Sequence, residues 1–413
     1  MSKPSVFRRY LLVILIAIGF LIGLTVGFVI LYTVPEEIRP AYASWFKVLG
    51  DILVRLIKII IPPVILFTIT AAVCTIADLR RLGKTLGLIL ILYVITSYIA
   101  AGLGIVAASI FRPGEGVTLP LPKEYTPPKP LSPQELILYF FKPELYHLFT
   151  VKGAPTLILI AIILGIGIVL LGDRGRPIAK FFDIMSDLMI RTLRVIMWYT
   201  PVAVFGYAVW LISTYGPAML GAYGKFLAAQ YSLTAVHILF VYTPIVFLAG
   251  LNPLKYYKEQ SEPFLVAYST RSSAVTLPYN MAAAKRMGVR DEIFRLTLPI
   301  GATVNMDGTA LYQALSTLFI AQLFGITIGA HQAFLLMTMA VIVSAACAAV
   351  PGAGPIMLAI MLSTFGLPLE GIAIMLVVDP ISDALRTATN VSGDNACTLL
   401  ISRILGYKPT PLS

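Results

Sequence analysis

Residues 377–395 read VVDPISDALRTATNVSGDN. Laid on a helix at about 100° per residue, Asp379, Asp383, Arg386, Thr387, Asn390 and Asp394 fall within one stripe about 100° wide. The rest of that helix is mostly Ala, Val, Ile and Leu, so the stripe cannot face lipid. Each ionisable group at the centre of a membrane span costs about 2.5–3.5 kcal/mol on insertion scales. A buried ion-pair network gluing helices together is the plainest explanation, and the charges argue against it. Asp379, Asp383 and Asp394 against Arg386 leave a surplus of negative charge. Asp307, in the preceding apolar segment, adds to it, and Arg271 offsets only one unit. Negative charge left over in a low dielectric must be met by protonation or by bound cations.

Working outward, the whole chain has a membrane composition. It has 413 residues, 58% hydrophobic and 12% charged, with a mean hydropathy of +0.88. An ordinary soluble domain carries about 25% charged residues, which excludes a soluble enzyme here. The 31 Lys and Arg against 20 Asp and Glu give a net charge of +11. That excess is not gathered into a polar domain with base-stacking aromatics, so nucleic acid is excluded as a partner. It reads instead as loop charge on one side of a membrane. Cys74, Cys347 and Cys397 lie far apart without metal-ligand spacing, which indicates neither a disulfide framework nor a zinc site.

Charge-free runs cover residues 10–35, 59–77, 85–111, 153–172, 195–224 and 226–254. Each meets the requirement of about 20 apolar residues for a helix crossing a hydrocarbon layer of about 30 Å. The first is too long for a signal-peptide core and is expected to be retained as a span. Lys3, Arg8 and Arg9 precede it and Glu36, Glu37 and Arg39 follow it, while Arg80, Arg81 and Lys84 come after the second run. This bias predicts a cytoplasmic amino terminus in a multi-pass cell-membrane protein. The Pro-rich, mixed-charge stretch 112–135 predicts an extracellular loop.

The pattern changes after residue 254. The charge-free run 272–284 is only 13 residues long and has basic residues on both sides, which predicts a re-entrant hairpin entering and leaving by the cytoplasmic face. A run of 62 residues without Asp, Glu, Lys or Arg, 308–369, is interrupted by VPGAG at 350–354 and predicts a second hairpin. Non-helical backbone at membrane depth is tolerated where it is buried in protein or lines a cavity. Two such segments in one half of the chain therefore point to a site.

Further residues suit cation and anion binding. Asn305, Met306, Asp307, Gly308 and Thr309 sit inside an apolar helix pattern and weaken it, which predicts a break that frees carbonyls near Gly301, Thr303 and Asn305. Hard cations such as sodium take carboxylate, amide and carbonyl oxygens. Tyr93, Thr96 and Ser97 put hydroxyls on one face of the third span, although Ser and Thr often bond their own helix backbone. The hairpin tips TRSS (270–273) and VPGAG offer small residues and unpaired backbone N–H groups, which favour an anionic guest such as a carboxylate.

With TRSS, NMDGT, VPGAG and DxxxDxxRTxxNxxxD together, the sequence resembles the dicarboxylate/amino acid:cation symporter (glutamate transporter) family over essentially the whole chain. It is most similar to archaeal sodium-coupled aspartate symporters. The resemblance implies an all-α polytopic membrane protein with eight transmembrane helices, two re-entrant helical hairpins and inverted repeats, working as an elevator-type transporter and homotrimer. It implies scaffold helices at 1–80 and 135–220, and transport-domain helices at 81–111 and 221–254. The loop would occupy 112–134, the first hairpin 255–290, a broken helix 291–328, the second hairpin 329–367 and the striped helix 368–408.

The resemblance also assigns roles. Arg386 would hold a substrate side-chain carboxylate and Asp383 the amino group. Thr387, Asn390, Thr309, Ser272, Ser273, Val350, Pro351, Gly352, Ala353 and Gly354 would complete the pocket. One sodium site would use Asp394 with carbonyls of Gly301, Asn305 and Asn390, in the segment that includes Met306. A second would lie between Thr303 and the segment holding Ser344, Ala345 and Cys347. A third would use Tyr93, Thr96, Ser97, Asn305 and Asp307. Arg271 and Asp379 enter the charge balance: with three sodium ions and one aspartate aboard, the site residues sum to neutrality. Relatives carrying neutral amino acids lack an arginine at position 386, and those carrying dicarboxylates without an amino group lack the carboxylate at 383. Gln313 stands where proton-coupled relatives carry Glu, which implies no proton co-transport by that route. Ala274 and Cys347 depart from the commoner Ser and Thr. The resemblance also allows an uncoupled anion conductance.

Two other classes compete. An intramembrane aspartyl protease needs carboxylates converging from separate elements without a strong counter-charge, whereas Asp379, Asp383 and Asp394 share one helix with Arg386. An anion channel would pass current without saturation. His147, His237 and His331 lie in loop or apolar contexts and are read as packing or interface residues.

Overall fold

The computed structural model describes residues 6–78, 84–120, 153–329, 332–347 and 353–407, and these are all helix, turn or irregular backbone without a strand. The chain therefore belongs to the all-helical class that its apolar runs predict. Five helices pack together as one group: α1 (Val6–Thr33), α2 (Arg39–Asp78), α4 (Ala154–Leu170), α5 (Arg176–Met197) and α6 (Thr200–Tyr215). α1 lies along α6, and α2 runs along α4, α5 and α6. Pro62 and Pro63 lie inside α2, and the segment they open, Pro62–Ala71, diverges by 42° from Arg39–Ile57 before it. A proline removes one helical hydrogen bond and crowds the preceding turn, so a bend at this pair is expected.

The second group is built around α3 (Lys84–Phe111), α7 (Ala218–His237), a single π turn (Ile238–Tyr242), α8 (Thr243–Leu248) and α15 (Gly371–Ile404). The charge-free run 195–224 is not one span: α6 ends at Tyr215, Gly216 turns with φ +62° and α7 starts at Ala218. The sixth predicted unit consequently begins three residues earlier than the sequence boundary of 221. α1, α3 and the composite helix 218–248 are each long and apolar enough to cross a membrane, and two bent pairs pass the same test jointly. α15 runs parallel to α7, whose side chains reach its carbonyls. The Tyr223 hydroxyl donates to Ile374 O (3.0 Å) and Gln230 Nε2 to Ser382 O (3.3 Å).

Between these lie short helices. α9 (Pro253–Thr270) and α10 (Ser273–Arg286) form the first hairpin. Arg271 turns the chain in the left-handed region (φ 51°, ψ 38°), and Ser272 caps α10 by accepting the Val275 N–H. A 14-residue helix is about 21 Å long and cannot cross the hydrocarbon layer by itself. α13 (Ala333–Ala345) and α14 (Ala353–Thr364) pack against each other as the second pair. The tip residues Val350, Pro351 and Gly352 lie outside the described residues, as do His147, His331 and most of the predicted extracellular loop. α11 (Asp291–Val304) and α12 (Asp307–Leu323) are separated by non-helical Asn305 and Met306, at the break the sequence predicts.

Candidate functional site

The break between α11 and α12 leaves the first N–H groups of α12 without a local cap, because Met306 makes no capping hydrogen bond. The need is met from α15. Asn390 Oδ1 accepts from Gly308 N (2.8 Å) and Thr309 N (3.4 Å), and Asn390 Nδ2 donates to Thr309 Oγ1 (3.1 Å) and approaches Met306 Sδ (3.1 Å). A residue read from the sequence as a pocket wall thus also does the work of a helix cap. This seam is tight. A Cβ on Gly308 would lie 2.5 Å from Arg386 O and 3.0 Å from Arg386 Cα, backbone atoms that cannot step aside. Gly308→Ala is therefore expected to push α12 off α15 and destabilise the protein by about 1–3 kcal/mol, read as a lower melting temperature with loss of substrate binding. An unchanged melting temperature would show that the seam has slack.

One turn away, Arg386 is buried in a cluster of its own. Its Nη2 lies 2.6 Å from Asp383 Oδ1 and 3.1 Å from Asp379 Oδ1, its Nε donates to Asp383 Oδ1 (3.2 Å), and its Cζ sits 4.3 Å from the centre of the Tyr312 ring. Thr387 Oγ1 adds a hydrogen bond to Asp383 Oδ1 (3.3 Å). Nη1 is buried with no hydrogen-bond partner among the described residues. An unpartnered guanidinium N–H in a dry site costs free energy that an arriving anion recovers. The cluster opens into a cleft of about 270 Å³ lined by Ser273, Thr309, Gly354, Asp383, Arg386, Thr387 and Asn390, together with Arg271, Met306 and Cys347. Of the predicted pocket residues, Ser272 serves as the cap of α10 and Ala353 stands at the start of α14.

The candidate cation ligands gather on the other side of the break. Asp307 is fully buried; its Oδ1 accepts from Ser97 Oγ (2.7 Å) and Thr96 Oγ1 (3.1 Å). Thr96 Oγ1 is also 3.4 Å from Asn305 Oδ1, and Asn305 Nδ2 donates to Asp394 Oδ1 (3.0 Å). Asp307 and Asp394 are thus linked in two steps, through the Thr96 hydroxyl and the Asn305 amide. Tyr93 lies closer to the Asp394 end: its hydroxyl donates to Thr297 O (3.1 Å), and a Cβ on Gly301 would meet both that hydroxyl (2.7 Å) and Asp394 Oδ1 (2.6 Å). The residues of the second predicted cation site are less gathered. Ser344 is buried with its hydroxyl on Val341 O, Ala345 ends α13 and Cys347 faces the cleft, whereas Thr303 is exposed. α11 and α13 do pack against each other.

Sequence reasoning missed three participants, His237, Tyr242 and Tyr312. His237 is no mere packing residue: its Nε2 is 3.2 Å from Asp307 Oδ2, and the Tyr242 hydroxyl is 2.9 Å from the same oxygen. A histidine inside an apolar span was the available signal, since intramembrane ionisable groups mark function by default. Tyr312 left no such trace, being an aromatic in an apolar helix. Gln313 Nε2 donates to Gly354 O (3.0 Å), tying α12 to the start of α14.

The chain is similar to known transport proteins. The signature of the sodium:dicarboxylate symporter family matches residues 12–404. The chain is 30% identical over 397 residues to the proton/sodium-glutamate symport protein of Geobacillus stearothermophilus, covering 94% of this chain and 93% of that one. It is 30% identical over 399 residues to the protein of the same description in Bacillus subtilis (strain 168), covering 94% and 91%. It is 29% identical over 416 residues to the C4-dicarboxylate transport protein of Janthinobacterium sp. (strain Marseille), covering 98% and 92%.

Proposed function

The chain belongs to the sodium:dicarboxylate symporter family, a family of membrane transporters and not enzymes, and on that premise we propose that it couples the inward sodium gradient to uptake of an acidic amino acid, L-aspartate before L-glutamate. The carrying observation is the pairing inside one cleft of a buried guanidinium whose Nη1 has no partner among the described residues, at Arg386, and a carboxylate, at Asp383. A side-chain carboxylate matches the first and an α-amino group the second. A C4-dicarboxylate supplies two acids and no cation, so it would leave Asp383 facing like charge.

Asp307 and Asp394, linked through Thr96 and Asn305, supply oxygen-rich surroundings suited to sodium. We place three sodium ions in the transported load. With them, one aspartate and the half-buried Arg271 counted, the charges of the site sum to zero, whereas the empty site keeps a negative surplus. Low-dielectric crossing favours the neutral load, which is a physical basis for obligatory coupling. The denser packing within α1, α2, α4, α5 and α6, and within α3 and α7–α15, than between these two groups supports a scaffold and a moving transport domain working as an elevator. Eight spans with two hairpins, a cytoplasmic amino terminus and a homotrimer complete the reading.

The test is uptake of labelled L-aspartate into proteoliposomes under sodium, lithium or proton gradients. Sodium should drive saturable accumulation, with L-glutamate competing better than succinate. Gln313 is an amide that cannot titrate, so a proton gradient at equal sodium is expected to drive none. Accumulation driven by protons and not by sodium would overturn the cation assignment, and stronger competition by succinate would overturn the substrate.

A further inference from the structure

Asp307 is held from two sides by different chemistry. Its Oδ1 meets the α3 hydroxyls of Thr96 and Ser97, while its Oδ2 meets His237 Nε2 (3.2 Å) and the Tyr242 hydroxyl (2.9 Å). His237 and Tyr242 are five residues apart. On a regular α-helix that spacing places side chains about 140° apart, too far round for both to reach one oxygen. The π turn Ile238–Tyr242 removes the difficulty, because its i→i+5 hydrogen bond stacks residues five apart on one face.

The sequence cause is Pro244, which has no N–H and crowds the turn before it. The widened turn is pinned at Ile238 O, which accepts the Thr243 N–H, Thr243 Oγ1 (3.3 Å) and the Tyr257 hydroxyl (3.2 Å). The two rings meet edge to face with centroids 4.8 Å apart. On the far side, α15 makes room: a Cβ on Gly393 would fall 2.6 Å from the Tyr242 hydroxyl and 2.9 Å from Asn305 Nδ2.

We propose that His237 and Tyr242 are positioning residues of the cation site, fixing the Oδ2 edge of Asp307 so that its Oδ1 edge stays aimed at Thr96 and Ser97. This rests on the reading that sodium binds at Asp307. The division of labour follows from donor chemistry. A hydroxyl has one rotatable hydrogen and two lone pairs, so Thr96 and Ser97 can turn from donating to Asp307 to coordinating an ion. His237 Nε2–H only donates, and Nδ1 has no partner among the described residues. The carboxylate therefore keeps its His237 hydrogen bond, and its orientation, whether or not the ion is present, with the Tyr242 hydroxyl, which also lies 3.2 Å from Thr389 O, as the second hold on Oδ2.

The experiment measures the sodium concentration for half-maximal L-aspartate binding by purified full-length protein, and the L-aspartate affinity at saturating sodium. Losing a hydrogen bond to a charged group should raise half-saturating sodium about 5- to 10-fold in His237→Phe and about 3- to 5-fold in Tyr242→Phe. His237→Gln, which retains an N–H at nearly the same reach, should stay within about 2-fold of the native value. Affinity at saturating sodium should be unchanged in all three. Tyr242→Phe deletes a single oxygen, so it reports even if the histidine variants fold poorly. Sodium dependence untouched in the variants overturns the inference, as does a Gln variant as impaired as Phe, or a loss of affinity that saturating sodium does not restore. A native protein that binds L-aspartate equally well without sodium would instead overturn the underlying reading of the cation site.

Discussion

Alanine at Arg386 is expected to abolish sodium-driven accumulation of L-aspartate. The guanidinium is only 3% exposed and joins Asp379, Asp383 and the Tyr312 ring. Its removal takes away the partner for the substrate carboxylate and also leaves two carboxylates facing each other in a dry site. Breaking a buried pair by deleting one member costs about 3–5 kcal/mol, so L-aspartate affinity should fall by roughly 150- to 5,000-fold. Thermal stability should fall with it, since the stranded acids are there whether or not substrate is bound. Arg386→Lys separates the two contributions. A lysine restores one positive charge but cannot fork between Asp379 and Asp383 or lie flat on Tyr312. Much of the stability should return while acidic-substrate affinity stays low. Binding and uptake assays on both variants, with melting temperatures, make the comparison. Undiminished L-aspartate uptake by the alanine variant would remove the basis for acidic selectivity.

The second large effect is expected at Asp394. Asparagine there keeps the shape and can still accept from Asn305 Nδ2, which now lies 3.0 Å from Asp394 Oδ1. It removes a full negative charge from a residue that is 1% exposed. Because the change is nearly isosteric, the fold should survive and the loss should fall on the ion. An interaction with a charged partner in such a site is worth about 1.5–3 kcal/mol. Half-saturating sodium is accordingly expected to rise about 10- to 100-fold, with L-aspartate affinity partly recovered at very high sodium. A sodium titration followed by L-aspartate binding reads this directly. An unshifted titration would mean that Asp394 is satisfied by its fixed neighbours and takes no part in coupling.

Much of this was legible in the primary structure. The break at Asn305 and Met306 followed from residues that weaken helices, and the turn at TRSS from a short apolar run between basic flanks. The polar stripe of α15 was legible as one face, but its division was not. Asp383 and Arg386 line the cleft, Asp379 pairs with Arg386, Asn390 caps α12, and Asp394 bonds Asn305. Angular spacing puts residues on a common face and says nothing of what meets them along its length. From Asp379 to Asp394 that length is about 22 Å at 1.5 Å per residue, enough for different helices to arrive at each level. The run 195–224 misled for a related reason: hydropathy alone does not register a turn made by Gly216 between two apolar helices.

By itself, then, the sequence determined that this chain is helical, that it lies in a membrane, and that it carries more buried negative charge than its own arginines balance. These follow from composition and period, which are local or additive properties. Only the tertiary structure decided which carboxylate meets which partner. Asp307 takes hydroxyls from α3 on one oxygen and His237 with Tyr242 on the other. That arrangement depends on a widened turn that shifts side chains around the helix, and on a glycine in another helix that leaves space for them. Contacts of this kind are set by the packing of distant segments, to which no periodicity within one segment corresponds.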